Sequence, residues 1–376
     1  MRIGVVCFAA IGGSSTVAAS LANRLVAAGD AVVVLAPALP PRLRRESGVV
    51  FRSVPEAGHP LRPGSAEAIG RLAEALARAV VDDRLDLLHA HYAHPHAVAA
   101  VAATESLPAA RRPTVVTTLH GSDVTEDPCV APTVAAALRG SDGVSAVSPF
   151  LAAAAAAAYG IPRPTVIPNF LEALSPQREG KGERPIGSRR ERVLLHLSTL
   201  RPVKRSVDCV GILARVRLHL PCRLLVVGEG PDAAAIAAEA ARLGVADAVT
   251  LAGAKVEVEA ALAGADMLLI PSASESFGMA ALEAMGAGVP VVGSRVGGLT
   301  GVVADGVCGR LLPVGDLDGM AAAACEILRR PGLAAAYGEA GRLLARSSFS
   351  PEGAITAYRD LYARARRAAE RSSEAS

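Results

Sequence analysis

Residues 271–294 read PSASESFGMAALEAMGAGVPVVGS. One apolar run, DMLLIPS (266–272), leads into this stretch, and another, VPVVGS (289–294), closes it. Both are short, without alternation, and bounded by Gly, Pro or Ser, the pattern of strands buried on both faces. Between them a turn carries Glu275, and an Ala/Leu/Met-rich run reads as a helix starting near Phe277. A strand, helix and strand this close together form a parallel crossover, so the segment predicts a parallel sheet covered by helices.

The same alternation extends in both directions. GRLLPV (309–314) follows, and VLLHLS (193–198), CRLLVVG (222–228) and AVTLAG (248–253) precede. Further upstream lies a second set of strand-like runs: RIGVVCF (2–8), AVVVLA (31–36), DLLHA (86–90), TVVTTL (114–119), GVSAVS (143–148) and TVIP (165–168). Helix-like runs at 15–28, 66–81, 94–103 and 148–158 separate them. Between the two sets, EALSPQREGKGERPIGSRRER (172–192) is charged and rich in Gly and Pro, as a linker or exposed loop is. The expected fold class is therefore α/β, with two doubly wound parallel-sheet domains. They span 1–170 and 191–350, joined by a linker at 171–190, with sites at the carboxyl ends of their strands facing a cleft. The last helix-like run, 351–368, is expected to pack back on the first domain, and RSSEAS to fray.

Composition narrows the function. A chain of 376 residues exceeds one ordinary core, which agrees with two domains. The net charge is +3, there is no Trp, and no basic block is interleaved with aromatics, so nucleic acid is not an expected partner. The six cysteines are scattered with no C-x-x-C pair, as in reduced thiols of a cytoplasmic protein. Met1 leads directly into IGVVCFAA without a long apolar segment, which argues against a signal peptide. The Ala run 152–158 is too short to span a bilayer, so no integral membrane association is expected.

Candidate chemistry collects at the strand ends. After the first strand, Gly12, Gly13 and Ser14 open a helix, where amides approach a ligand or simply make a tight turn. LHAHYAHPHA (88–97) holds four histidines. Alternation puts His89 and His91 on one face, and Pro95 starts a helix with His94 near its cap. A zinc site there would lack H-E-x-x-H spacing and a cysteine partner. The stronger reading has His91 and Tyr92 at a strand end, with His94 and His96 capping and packing the helix. TTLHGSDVT (117–125) repeats the plan: His120 ends a strand, and Gly121, Ser122 and Asp123 turn. A neutral His120 can donate to a substrate oxygen, and Asp123 either orients it or caps a helix.

In the second domain, STLRPVKR (198–205) puts Arg201, Lys204 and Arg205 at a helix start, suited to phosphates or to a solvated basic turn. GEGP (228–231) is a close-approach turn at Gly228. Glu283 lies about two helical turns beyond Glu275, and Ser276–Met279 offer a helix start to a diphosphate. Asp316-Leu317-Asp318 reads as a helix N-cap.

The E-x7-E spacing within ESFGMAALEAMGAGVP resembles the donor-site motif of retaining GT-B glycosyltransferases of family 4. IGGSS, HAHYAHPHA, TTLHGSDVT, SDGVSAVS, NF (169–170), VKR (203–205) and GEGP follow the family order, so the resemblance spans roughly 2–365. Within the family it is similar to the N-acetylglucosaminyl-malate synthases of low-molecular-weight thiol biosynthesis. The resemblance implies two Rossmann-like domains, a UDP- or GDP-sugar donor, a small, anionic acceptor, and no metal or other cofactor. It implies catalytic roles for His120, Arg201, Lys204 and Glu275. The donor would also meet Gly13, Gly228, Phe277, Gly278, Met279 and Glu283. The acceptor would lie near Gly13, Ser14, Tyr92, Thr118 and Ser122. Such enzymes are often dimers, so a homodimer is one expected assembly.

Three departures fall in the donor half. Thr199-Leu200-Arg201 stands where the malate-specific enzymes have Asn-Phe-Arg, and GGLTG (297–301) where they have Gly-Gly-x-Pro-Glu. An Arg of theirs is missing around Lys255–Glu259. They direct attention to another donor, and to an alternative function: an S-glycosyltransferase of antibiotic biosynthesis joining a GDP-sugar to a small thiol such as ergothioneine. A protein that binds nucleotide-sugar without turnover is a third reading, and the intact Glu275, Glu283, His120 and Lys204 argue against it.

Overall fold

Every ladder among the described residues of this computed structural model is parallel. The structure describes residues 1–9, 13–58, 64–125, 130–172, 191–254 and 256–374. The chain divides into two units, Met1–Asn169 with Pro351–Ser376, and Phe170–Ser350. Most of the expected linker, 173–190, lies outside the described residues, as do Gly12 and Cys129.

The first unit holds β1 (Arg2–Val6), β2 (Ala31–Ala36), β3 (Val50–Ser53), β4 (Leu87–His91), β5 (Thr114–Leu119), β6 (Gly143–Ala146) and β7 (Thr165–Val166). Their order across the sheet is β3-β2-β1-β4-β5-β6-β7. The second unit holds β8 (Arg192–Leu197), β9 (Cys222–Val227), β10 (Val249–Leu251), β11 (Met267–Ile270), β12 (Val291–Ser294) and β13 (Gly309–Leu312). Their order is β10-β9-β8-β11-β12-β13. In each sheet the chain winds outward one way, then returns to the middle and winds the other way. The direction reverses between β1 and β4, and between β8 and β11. A crevice opens at the carboxyl ends of such strand pairs, because the flanking crossovers leave to opposite sides.

Each sheet is buried by helices on its faces. In the first unit Leu35, Leu88, Leu72 and Leu76 share one cluster, the last two from helix Ala66–Asp83. Ser65 starts that helix by accepting from the Ala68 amide at 3.2 Å. In the second, Leu194, Leu224, Leu269, Ile212 and Met320 do the same. Each such side chain contributes about 1.5–3 kcal/mol relative to exposure.

The last helix, Pro351–Glu374, belongs to the first unit although it follows the second in sequence. Its Tyr358, Leu361 and Tyr362 are buried. The Tyr362 hydroxyl meets His89 Nδ1 at 2.8 Å, and Arg359 Nε lies 3.3 Å from Asp30.

Three local expectations differ from what is found. β3 was not expected, because VFRS is short, interrupted by Arg52 and half-exposed at a sheet edge. Arg52 pairs there with Asp82 and Asp83. The final helix runs on through Glu374, so the first four residues of RSSEAS are helical rather than frayed. The helix expected from Phe277 begins at Met279, because Gly278 holds φ +106° at its N-terminal boundary.

Candidate active site

Three turns meet at the carboxyl ends of β8, β9 and β11. After β8 the chain makes a tight turn at Pro202–Lys204, passes Arg205 in the left-handed region, and enters helix Asp208–Arg217. The Ala273 amide, after β11, donates to Val203 O at 2.8 Å. Leu200 N donates to Glu229 O at 2.9 Å, and Asp232 N to Leu200 O at 3.0 Å, which ties in the turn after β9. Gly228 has φ +135°, and a Cβ there would stand 1.8 Å from Ser198 O. Only glycine allows that approach.

On this base Lys204 and Glu275 meet across the point where strand order reverses. Lys204 Nζ donates to Glu275 Oε1 at 2.8 Å, and Ser272 Oγ donates to the same oxygen at 2.7 Å. Both charged side chains are largely buried, at 19% and 10% exposed. Glu275 O also accepts from the Gly298 amide at 2.7 Å, which fixes the turn from below.

His196, inside β8, supports the arrangement. Its Nδ1 donates to Leu269 O of β11 at 2.9 Å, so Nε2 carries the lone pair that faces Ser206 Oγ and Ser198 Oγ at 2.9 and 2.8 Å. Burial, with a smaller push from the Lys204 charge, holds this imidazole down to about 4 against the opposing pull of the Leu269 carbonyl and then of Glu275, so it is neutral.

The first unit gathers aromatic and imidazole rings at the ends of β4 and β5. His91 Nδ1 lies 2.9 Å from His120 Nε2, with rings stacked at 5.1 Å. The Tyr92 ring lies 5.0 Å from that of His120 and edge-on to Phe8 at 5.2 Å. Tyr92 has φ +82°, held by its amide donating to Thr118 O at 2.9 Å. Beneath, His89 Nε2 meets Thr118 Oγ1 at 2.7 Å, and Thr118 Oγ1 meets Ser145 Oγ at 2.7 Å. Burial drives the pKa of His89 and His120 to about 3 and of His96 to about 4, so the group is neutral at ordinary pH.

The four clustered histidines have separate partners. His89 serves Thr118 and Tyr362, and His91 faces His120. His96 Nδ1 donates to His91 O at 2.5 Å, while its ring packs on Phe8. Among the described residues no group of His, Cys, Asp or Glu is arranged to hold a metal ion. Residues 93–97 make a kinked turn in which His94 is extended, at φ −113° and ψ 130°, before the cis His94–Pro95 peptide, so the helix expected from Pro95 is helix Val98–Glu105 instead.

The structure thus brings Lys204 to Glu275, and His120 to Tyr92. Arg201 precedes the Lys204 turn, and Gly278 and Met279 start helix Met279–Gly286, which carries Glu283 on its second turn. Phe277 is buried with its ring edge-on to Phe349 at 5.8 Å, so the ring packs within the second unit. Gly13 and Ser14 begin helix Gly13–Ala27, and Ser122 begins the short helix Ser122–Thr125. Thr118 needs correction: its side chain is fully buried and bonded to His89 and Ser145, so it supports the strand end instead of lining a surface. Asp316 caps helix Leu317–Arg329 through the Gly319 amide at 2.8 Å, as the D-x-D reading expected. His196, Ser272 and the two C-terminal tyrosines were not anticipated. The available signal was a single polar residue inside an otherwise apolar strand, LLHL for His196 and LLHA for His89.

The arrangement has the parts for holding an anionic, hydroxyl-rich ligand: a cation and a carboxylate side by side, glycine turns and a helix start. Comparison with known proteins agrees. A family model described as Glycosyltransferase Family 4 matches residues 11–173, and one described as Glycosyl transferases group 1 matches 183–344. An N-acetyl-alpha-D-glucosaminyl L-malate synthase of Bacillus anthracis is 32% identical, over 96% of this chain and 96% of its own. A D-inositol 3-phosphate glycosyltransferase of Segniliparus rotundus is 39% identical over 40% of this chain and 35% of its own. Sucrose-phosphate synthase from Thermosynechococcus elongatus superposes with a TM-score of 0.78 at 21% identity, covering 96% of this chain and 99% of the other. HepE of Anabaena, solved with UDP and glucose, gives 0.74 at 20% identity, covering 96% and 98%. With a relative matched along almost its whole length and a family model on each half, the chain belongs to the family 4 glycosyltransferases, enzymes of the GT-B fold.

Proposed function

We propose that this glycosyltransferase moves a sugar from a nucleoside-diphosphate sugar to a small, anionic acceptor, with retention of anomeric configuration. The observation that carries the reading is the 2.8 Å Lys204–Glu275 pair at the reversal point of the second sheet. Lys204 and Arg201 supply positive charge for the departing diphosphate, and the first amides of helix Met279–Gly286 add to it. Glu275 accepts from Lys204 and Ser272 at Oε1, which leaves Oε2 for a sugar hydroxyl. Glu283 is assigned to a ribose diol, and the Gly228 and Phe277–Met279 backbone to the phosphates and sugar. On the first unit His120 and Gly13 are assigned to the donor sugar, and Gly13, Ser14, Tyr92 and Ser122 to the acceptor.

Retention needs no protein nucleophile on this reading. The bond from the anomeric carbon to the phosphate oxygen breaks, the acceptor atom bonds on the same face, and its proton passes to the leaving phosphate oxygen. Catalysis is then positioning and stabilisation of developing charge. No metal enters the scheme, so EDTA is expected to leave the rate unchanged.

The Bacillus anthracis relative is named for N-acetylglucosamine and malate, so UDP-N-acetylglucosamine with L-malate is the first pair to assay, followed by GDP-sugars with small thiols. Mass spectrometry detects the conjugate, and the proton coupling at its anomeric carbon reads the stereochemistry. A product with the donor's configuration supports the proposal, and an inverted product contradicts it.

A further inference from the structure

The imidazole pair at the ends of β4 and β5 carries information about proton placement. His91 is 1% exposed, and its Nδ1 is 2.9 Å from His120 Nε2. Its other nitrogen, Nε2, is buried with no hydrogen-bond partner among the described residues. One of the two facing nitrogens must bear the proton and the other the lone pair. If His91 carried its proton on Nε2, a buried N–H would be stranded. If it carries it on Nδ1, only a lone pair is stranded, and orphaned N–H groups are the rarer case in folded proteins. Protonation at both nitrogens is opposed by burial and by the neighbouring His89, His96 and His120, with the Tyr92 ring beside His120 completing the enclosure.

We infer that His91 is a positioning residue for His120: it donates Nδ1–H to His120 Nε2 and so holds His120 as the neutral imidazole protonated on Nδ1. His120 then meets any further partner as a hydrogen-bond donor. Its Nε2 lone pair is occupied, so it does not take a proton from the acceptor. It orients an oxygen of the ligand. The functional part of this inference rests on the glycosyl-transfer reading, whereas the tautomer does not.

The test has two independent readouts. Nitrogen-15 NMR of histidine-labelled protein, with His120→Gln used for assignment, reports the tautomer directly and requires no substrate. The expected result is an Nδ1-protonated, neutral His120 in the wild type. A His120 protonated on Nε2 overturns the inference whatever the activity assay shows. In the transfer assay, His91→Phe keeps a ring but removes the donor. It should lower kcat about a hundredfold, the scale of losing one preorganised donor, with the acceptor KM nearly unchanged. His91→Asn places an amide N–H where Nδ1 stands and should recover most of the rate and the wild-type His120 tautomer. If His91→Phe keeps both rate and tautomer, or if His91→Asn and His91→Phe are equally impaired, the positioning role is wrong. A protein with the expected tautomer and no transfer with any nucleotide-sugar would instead count against the proposed function.

Discussion

Lys204 is already neutralised by Glu275 before a ligand arrives, and each side chain is held in the other's reach by burial. Replacing one leaves the other as an uncompensated, largely buried charge, which is costly. Lys204→Ala and Glu275→Ala are each expected to lower kcat/KM by about two to three orders of magnitude if they serve developing charge. The double variant should lose less than the two losses combined, since they act as a unit. Steady-state kinetics of the three variants checks this, and full additivity would contradict it. At this scale the sequence was informative wherever a residue sits on a turn directly after a strand, as Lys204, Glu275 and His120 do. It was silent where the role depends on distant partners. His196 is defined by Leu269, 73 positions away, and His89 by Tyr362, 273 positions away, and no local pattern announces either.

The decisive elements are the turns that lock together beneath the Lys204–Glu275 pair. Gly228→Ala forces a Cβ against Ser198 O, a backbone atom that cannot swing aside, at a φ that L residues rarely adopt. A loss of about 3 kcal/mol or more in chemical denaturation is expected. A neutral substitution would mean that the turns after β8 and β9 are not in contact. Tyr362→Phe should cost about 1–3 kcal/mol, because it leaves His89 Nδ1 buried and unpaired. Strand positions were readable to within a residue or two, since apolar runs flanked by Gly, Pro and Ser have few alternatives. β3 escaped because its edge position removes the burial that makes a strand apolar. The Met279 start escaped because a left-handed Gly278 ends the turn later than composition suggests.

Across the whole molecule, four neutral histidines lie in the first unit, with His89, His91 and His96 buried and His120 half-buried, and the buried His196 lies in the second. Their folded pKa values fall below the unfolded one near 6.5. Below that pH the unfolded chain takes up protons that the folded chain refuses. Stability is therefore complete above about pH 6.5 and falls as pH drops towards the folded values, about 3 for His89 and His120 and about 4 for His96 and His196. Each histidine removes up to about 1.4 kcal/mol per pH unit, or about 2 kcal/mol by pH 5. Denaturation at pH 7 and pH 5, followed by amide exchange, should show the first unit losing protection before the second; equal loss in both would contradict this. The doubly wound plan of both units was legible from strand–helix alternation alone. The joining of the final helix to the first unit is clear only once Tyr358 and Tyr362 are seen buried there.

On the proposed function, the second unit holds a nucleoside diphosphate beside Lys204 and Glu275. Calorimetric titration of the wild type, Arg201→Ala and Lys204→Ala with UDP, GDP and ADP tests it most directly. At least one of the three nucleotides should bind the wild type, and each substitution should weaken it tenfold or more, about 1.4 kcal/mol. Undiminished binding in both folded variants would contradict it.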